Sequence, residues 1–267
     1  MIIYVLTRGR ISQQVTRRCA FLDEISKIYP VTYVLPDCDV RDYCLEYPDT
    51  KYLVVSNHFT SGDIRQFIAE QYHKTDDPFQ IHLDDDMYMF RRKDRDPLLD
   101  KANLRDMIDL FNKIEDILER GIYKHGGVSA REGNNRKEEN FEVNARAMRF
   151  LFYDVRPILE HGIKFTDVMC RMDFHMTLSL LEKGYPNIVL YEYAQNQLES
   201  SIRARAGGAD HYRTMEMMNR QAERLCQLHP KFIKVVDKET LVSFGGKERK
   251  DVVVQWKKAY KSSQNKK

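Results

Sequence analysis

Three adjacent carboxylates, Asp84, Asp85 and Asp86, close a short apolar run, Phe79-Gln80-Ile81-His82-Leu83. Ionised side by side they repel each other, and a cation relieves that repulsion. Oxygen ligands of this kind favour Mg²⁺ or Mn²⁺. A solvated acidic turn is the alternative. A fourth carboxylate, Asp173, follows Met172 and precedes a stretch with Phe174, Leu178 and Leu181 at helical spacing, closed by Gly184. It can act as a general base or serve as a helix N-cap. Cations form the third group. Thr7-Arg8-Gly9-Arg10 follows the apolar run Ile2–Leu6, and Arg65 lies ahead of the acidic triplet. Guanidinium groups pair bidentately with phosphate, so Thr7, Arg8, Arg10 and Arg65 can hold a nucleotide diphosphate. An ordinary basic turn and a surface arginine remain open for them.

The elements that must position these groups follow from periodicity. Ile2 to Leu6, Val31 to Leu35, Tyr52 to Ser56 and Phe79 to Leu83 read as strands. A helix from Ser12 to about Tyr29 and one from about Ile64 to Tyr72 lie between them. Residues 36–50 read as a loop. Three βα-type units in the first 86 residues indicate a doubly wound α/β arrangement, with ligands at the carboxyl ends of the strands. Further on, residues 103–120 predict an amphipathic helix stopped by Gly121. Tyr123 to Ala130, Arg149 to Val155 and Ile188 to Tyr191 read as strands, and His211 opens a helix to about Leu228. Short strands around Gly245-Gly246 precede a basic tail, residues 257–267, expected to be disordered.

Composition sets bounds. The 267 residues are 42% hydrophobic and 31% charged, as expected for a globular chain with a sizeable core. No apolar run approaches the ~18 residues of a membrane span. The five cysteines, Cys19, Cys38, Cys44, Cys170 and Cys226, contain no CxxC pair. That argues against a disulfide framework or a zinc site and fits a reducing cytoplasm. The net charge of +3 neither favours nor excludes an anionic partner.

The ordered set resembles a GT-A fold, the Rossmann-type fold of nucleotide-diphospho-sugar transferases. The matching pieces are Thr7-Arg8-Gly9-Arg10 after the first strand, Arg65, Leu83-Asp84-Asp85-Asp86, and Met172-Asp173 ahead of Leu181-Glu182-Lys183-Gly184-Tyr185. In that family the acidic cluster is the DxD motif and a Glu-Asp pair precedes a similar helix. Here Met172 replaces the Glu, so only Asp173 carries over. Within the fold, Arg8-Gly9-Arg10, Ile64-Arg65-Gln66-Phe67-Ile68 and His82-Leu83-Asp84-Asp85-Asp86-Met87 look most like phage TET-associated glycosyltransferases, which attach sugars to 5-hydroxymethylpyrimidines in DNA.

The resemblance implies one α/β domain over residues 1–256 with a mixed central sheet. Residues 1–90 would form the nucleotide-sugar half and 91–256 the acceptor half. It implies a donor such as a UDP-sugar, with Asp84 and Asp85 on its nucleotide and sugar. Mn²⁺ or Mg²⁺ would be held by Asp84, Asp86 and His211, and the acceptor hydroxyl would lose its proton to Asp173; a base role implies inversion, but the sequence does not fix the stereochemistry. The acceptor would be DNA carrying 5-hydroxymethylcytosine or 5-hydroxymethyluracil, in a phage-infected cell. Phosphate contacts then fall to Arg91, Arg92, Arg131, Arg136, Arg203 and Arg205, which also read as solvated surface charge. A glycan or protein acceptor, a nucleotidyltransferase and a non-catalytic DNA-binding module are the competing readings. The last struggles with an acidic triplet that repels phosphate, and the nucleotidyltransferase with the lack of a Gly-rich triphosphate loop.

Overall fold

Strand β1 (Ile2–Leu6) is apolar at every position because both of its faces are covered. Ile3 and Val5 join one core cluster, and Ile2, Tyr4 and Leu6 another. The structure, a computed structural model, describes residues 1–92, 98–134, 136–197, 214–239 and 248–265. The other strands are β2 (Val31–Pro36), β3 (Lys51–Val55), β4 (Phe79–Asp84), β5 (Met87–Arg92), β6 (Leu99–Lys101), β7 (His125–Ala130), β8 (Phe141–Val143), β9 (Leu151–Asp154), β10 (Asn187–Gln197), β11 (Ile233–Glu239) and β12 (Glu248–Val254). The main sheet runs β3-β2-β1-β4-β9-β7-β10-β5-β6, with β8 beside β10. Strands β1 to β4 are parallel neighbours, and β4–β9, β9–β7, β10–β5 and β5–β6 are antiparallel. The sheet is therefore mixed, as the resemblance implies, and it runs across the boundary between the two halves. Strands β11 and β12 pair separately as an antiparallel hairpin.

The helices are α1 (Val15–Cys19), α2 (Leu22–Ile25), α3 (Val40–Glu46), α4 (Ser61–Glu70), α5 (Tyr72–Thr75), α6 (Leu104–Arg120), α7 (Arg131–Asn134), α8 (Arg156–Glu160), α9 (Met172–Glu182), α10 (Met215–Leu228) and α11 (Trp256–Gln264). Among the described residues, no helix is long and apolar enough to cross a membrane. Helix α6 matches its pattern. Met107, Leu110, Phe111, Ile114 and Leu118 are buried, Asn103 and Asp106 form a capping box, and Gly121 ends it at φ 70°.

Four expectations need correction. The helix expected over 12–29 breaks into α1 and α2, because Phe21 turns left-handed at φ 53°. Part of the loop expected over 36–50 is helical, as α3. Helix α4 starts three residues early, since Thr60 caps it and forms a capping box with Asp63. The basic tail is not a disordered extension. Trp256 to Gln264 is helix α11, packed on α9 with Ala259 and Ser263 buried.

Strand β7 lies between β9 and β10, and Gly126 permits that closeness. A Cβ there would stand 2.3 Å from the Ile188 carbonyl oxygen and 2.3 Å from Phe152 Cζ. The first is backbone and the second a fully buried ring, so neither can retreat cheaply. Gly126→Ala should cost about 2–3 kcal/mol in urea unfolding. A variant within about 0.5 kcal/mol of the parent would show that the sheet yields at this point.

Candidate functional site

Parallel pairing of β1 with β4 places Leu6 opposite Asp84, so the loop after β1 meets the acidic triplet at the same edge of the sheet. The turn is fixed from outside by α1. Thr16 N donates to Asp85 O at 3.0 Å, Thr16 Oγ1 donates to Asp84 O at 2.6 Å, and Met87 N donates to Thr16 Oγ1 at 2.8 Å.

The carboxylates are compensated by side chains of this chain. Arg65 Nη2 donates to Asp84 Oδ1 at 2.7 Å. Arg10 Nη1 donates to Asp85 Oδ1 at 2.9 Å and to Asp86 Oδ2 at 2.8 Å. Thr7 Oγ1 donates to Asp85 Oδ2 at 2.6 Å, while Gln14 Nε2 donates to Thr7 Oγ1 and to the Tyr43 hydroxyl. Thr7 and Arg10, expected on a diphosphate, are thus engaged by the triplet. Arg65 is shared differently. Its Nη1 is buried with no hydrogen-bond partner, which leaves an N–H to donate to a ligand oxygen. Arg8 Nη2 donates to Asn57 O at 2.9 Å, and the residue lines the cleft.

Gln197 ends β10 and was not foreseen. Its Nε2 donates to Asp84 Oδ2 at 3.2 Å and to Asp86 Oδ1 at 3.0 Å. One donor group therefore reaches both carboxylates at once, as a small cation would. Among the described residues no group of three or more His, Cys, Asp or Glu is placed to hold a metal. The donor set present fits a divalent ion through Asp84 and Asp86, with its other ligands coming from elsewhere. His211 lies outside the described residues, as do Arg203 and Arg205.

A cavity of about 690 Å³ joins these groups to Asp173. Asp173 is not the helix cap. Arg171 holds the N-cap position at φ 62° without a side-chain cap, and Asp173 lies inside the first turn of α9. Arg171 donates to Met218 O at 3.3 Å, Lys250 O at 3.3 Å and Asp251 Oδ1 at 3.2 Å, tying the start of α9 to α10 and β12. Burial pushes the Asp173 carboxyl above the usual carboxylate range, with Arg146 and Arg65 pulling the other way. Arg146, Arg149, Lys238 and Arg249 also line the cavity. None carried a local signal, since each arrives from a loop or hairpin distant in sequence.

The residues expected on DNA phosphates divide. Arg92 is buried and donates to Lys137 O at 2.6 Å and to Asn134 Oδ1 at 2.8 Å, so it clamps the segment after α7 and is not free for a phosphate. Arg91 lies 4.4 Å from the Tyr193 ring centroid and Arg131 4.7 Å from that of Phe90. Arg136 is exposed. None of these four lines the cleft.

The sequence profile of the family described as TET-associated glycosyltransferase matches residues 1–208. No match is found among the curated proteins. Among solved structures, S. aureus TarS is similar with TM-score 0.46 and 15% identity, covering 84% of this chain and 39% of that one. The CMP:2-keto-3-deoxy-manno-octonic acid synthetase complexed with CTP gives 0.42 and 15%, covering 71% and 88%. The galactosyltransferase LgtC, in complex with donor and acceptor sugar analogs, gives 0.32 and 9%, covering 60% of each chain.

Burial raises the Asp85 carboxyl to about 7, against the pull of Arg10 and Thr7. The unfolded value is near ~3.9, so the folded state binds this proton more tightly than the unfolded chain. Stability from the group is complete below about pH 4 and is lost as pH rises through about 7. The stability of Asp85→Asn, which cannot ionise, should therefore improve relative to the parent's between those limits, the difference widening by about 4 kcal/mol from pH 4 to above pH 7. Melting curves at several pH values read this. A gain that shrinks as pH rises would contradict it.

Proposed function

The chain belongs to the TET-associated glycosyltransferase family, and from that premise we propose that it moves a sugar from a UDP-sugar to 5-hydroxymethylcytosine or 5-hydroxymethyluracil in DNA. It is a nucleotide-sugar glycosyltransferase. The observation that carries the reading is that the acidic triplet and Asp173, far apart in the matched region, line one cavity.

In that cavity the donor diphosphate lies toward Arg65 and Arg8. Arg65 Nη1, buried and without a partner, donates to a phosphate oxygen. A divalent ion held by Asp84 and Asp86 would offset the charge that develops on the leaving diphosphate. Asp173 accepts the proton of the acceptor hydroxyl as the oxygen bonds to the anomeric carbon. The bond from that carbon to the phosphate oxygen breaks, and its electron pair leaves with the diphosphate. A carboxyl raised by burial is a stronger base than one in water, which suits this role. Attack from the base's side, opposite the leaving group, inverts the anomeric centre. A nucleic acid is favoured as acceptor by the cavity lining, where Arg146 and Arg149 add positive charge beside Lys238 and Arg249, which pair with Asp251.

The test is transfer of labelled sugar from a panel of nucleotide sugars to matched DNAs with and without hydroxymethyl bases. Labelling confined to the hydroxymethylated strand is expected. Equal labelling of unmodified DNA, or labelling of glycan or protein alone, overturns the acceptor.

Two variants separate the roles. Asp173→Asn should lower kcat by roughly 10² to 10⁴ and leave the donor KM near that of the parent. Because Arg171 and not Asp173 caps α9, a near-parental rate would remove Asp173 from the chemistry. Asp86→Asn should slow transfer on the order of 100-fold and weaken its dependence on added Mn²⁺ or Mg²⁺. Full activity in a chelator would reject the metal.

A further inference from the structure

Trp256 is the chain's one tryptophan and stands beyond the matched residues 1–208. It opens α11 and lines both the main cavity and an adjoining one of about 480 Å³. Its ring centroid lies 5.3 Å from that of Phe174, at an interplanar angle of 55°. Phe174 directly follows Asp173. Across the Phe174 ring lies the Arg146 guanidinium, with Cζ 4.5 Å from the centroid. Arg146 is exposed, lines both cavities, and makes no hydrogen bond or ion pair among the described residues.

Phe174 is buried, whereas Trp256 keeps part of its ring open to the cleft. An accessible indole and a guanidinium plane beside a buried ring form a platform for a nucleobase. Stacking of this kind accepts any base that has left its helix. The adjoining cavity adds cations along a continuous path. Lys258 is exposed there, and Lys257 holds only a surface pair with Glu142 at 3.1 Å, which a phosphate can displace. The platform also lies beside the candidate base, which needs the hydroxymethyl group brought to it. A base still stacked in a duplex cannot bring its hydroxymethyl group to a carboxyl that lines a cavity.

We propose that the acceptor nucleotide enters the cleft single-stranded or flipped out of its duplex, with its base against Trp256 and its phosphate on Arg146, the strand leaving past Lys257 and Lys258. The proposal rests on the DNA-acceptor reading and deepens it by assigning the base contact to Trp256, which lies outside the matched family region.

The sole tryptophan makes the subsite directly observable without turnover. Two oligodeoxynucleotides serve as probes, one made entirely of abasic sites and the other carrying a single central 5-hydroxymethylcytosine. Without donor, the one-base probe should quench Trp256 emission at saturation and the abasic probe should leave it almost unchanged. Trp256→Ala should raise the KM for hydroxymethylated single strands about tenfold, the loss of one stacked base, with the donor KM held within about twofold. Trp256→Phe should recover most of that loss, which a misfolded protein would not. Equal quenching by both probes, or an acceptor KM unmoved in Trp256→Ala, overturns the subsite. Base-dependent quenching without sugar transfer to DNA would retain the subsite and reject the acceptor chemistry. Transfer to hydroxymethylated DNA without such quenching would do the reverse.

Discussion

The acidic triplet is held by two guanidinium groups, one hydroxyl and one amide, and the geometry of the cleft depends on that compensation. Leaving a buried carboxylate without its partner costs several kcal/mol, so Arg10 and Arg65 fix the relative positions of the loop after β1, helix α4 and the end of β4. Thr16 then locks the backbone of the turn through α1. Four elements meet at a point where like charges would otherwise push them apart. The arrangement still leaves reactive capacity. Arg65 has an N–H without a partner, and the Gln197 amide between Asp84 and Asp86 is a neutral group that a cation can replace.

Asp173 is placed by a different device. A left-handed residue begins α9, which turns the chain sharply into the helix and aims the second helical side chain at the cleft. Left-handed backbone is costly for a residue with a side chain. Arg171 offsets that cost with its contacts to α10 and β12, so the strain and the closure of the cleft are one feature. Burial raises the Asp173 carboxyl, and Arg146 and Arg65 oppose that shift.

Strands β1 and β2 were legible because both of their faces are buried, which leaves unbroken apolar runs such as Ile2–Leu6, whereas β3 at the sheet edge is only partly buried. Helix α6 was legible for the opposite reason, since only one face is buried and its period shows. Asp84, Asp85, Asp86 and Asp173 stood out as chemistry next to a clear element boundary. What the sequence hid was partnership. Thr7 and Arg10 look like ligands for phosphate, but their hydrogen bonds go to Asp85 and Asp86, which only the pairing of β1 with β4 makes adjacent. Gln197, Arg146 and Arg249 reach the cleft through long-range packing and have no periodic signature. Arg92 looks like surface charge because a buried arginine satisfied by backbone carbonyls carries no local mark. The tail reads as polar, and its helix is stabilised by burying Ala259 and Ser263 against α9 rather than by its own composition.

The hairpin β11–β12 and helix α11 form no part of the main sheet, and they meet the rest of the molecule mainly along α9 and α10. They nonetheless contribute Lys238, Arg249 and Trp256 to the cleft. The molecule therefore resembles a press with a fixed bed and an exchangeable die. Substitutions in the hairpin or in α11 change what is offered to Asp173 without touching the triplet, its arginines or the strand order beneath them. On the proposed reading, remodelling these elements would alter the acceptor wall while the strand order that holds the triplet stays in place, within the limit that Ile233, Val252 and Ala259 share a core with α9.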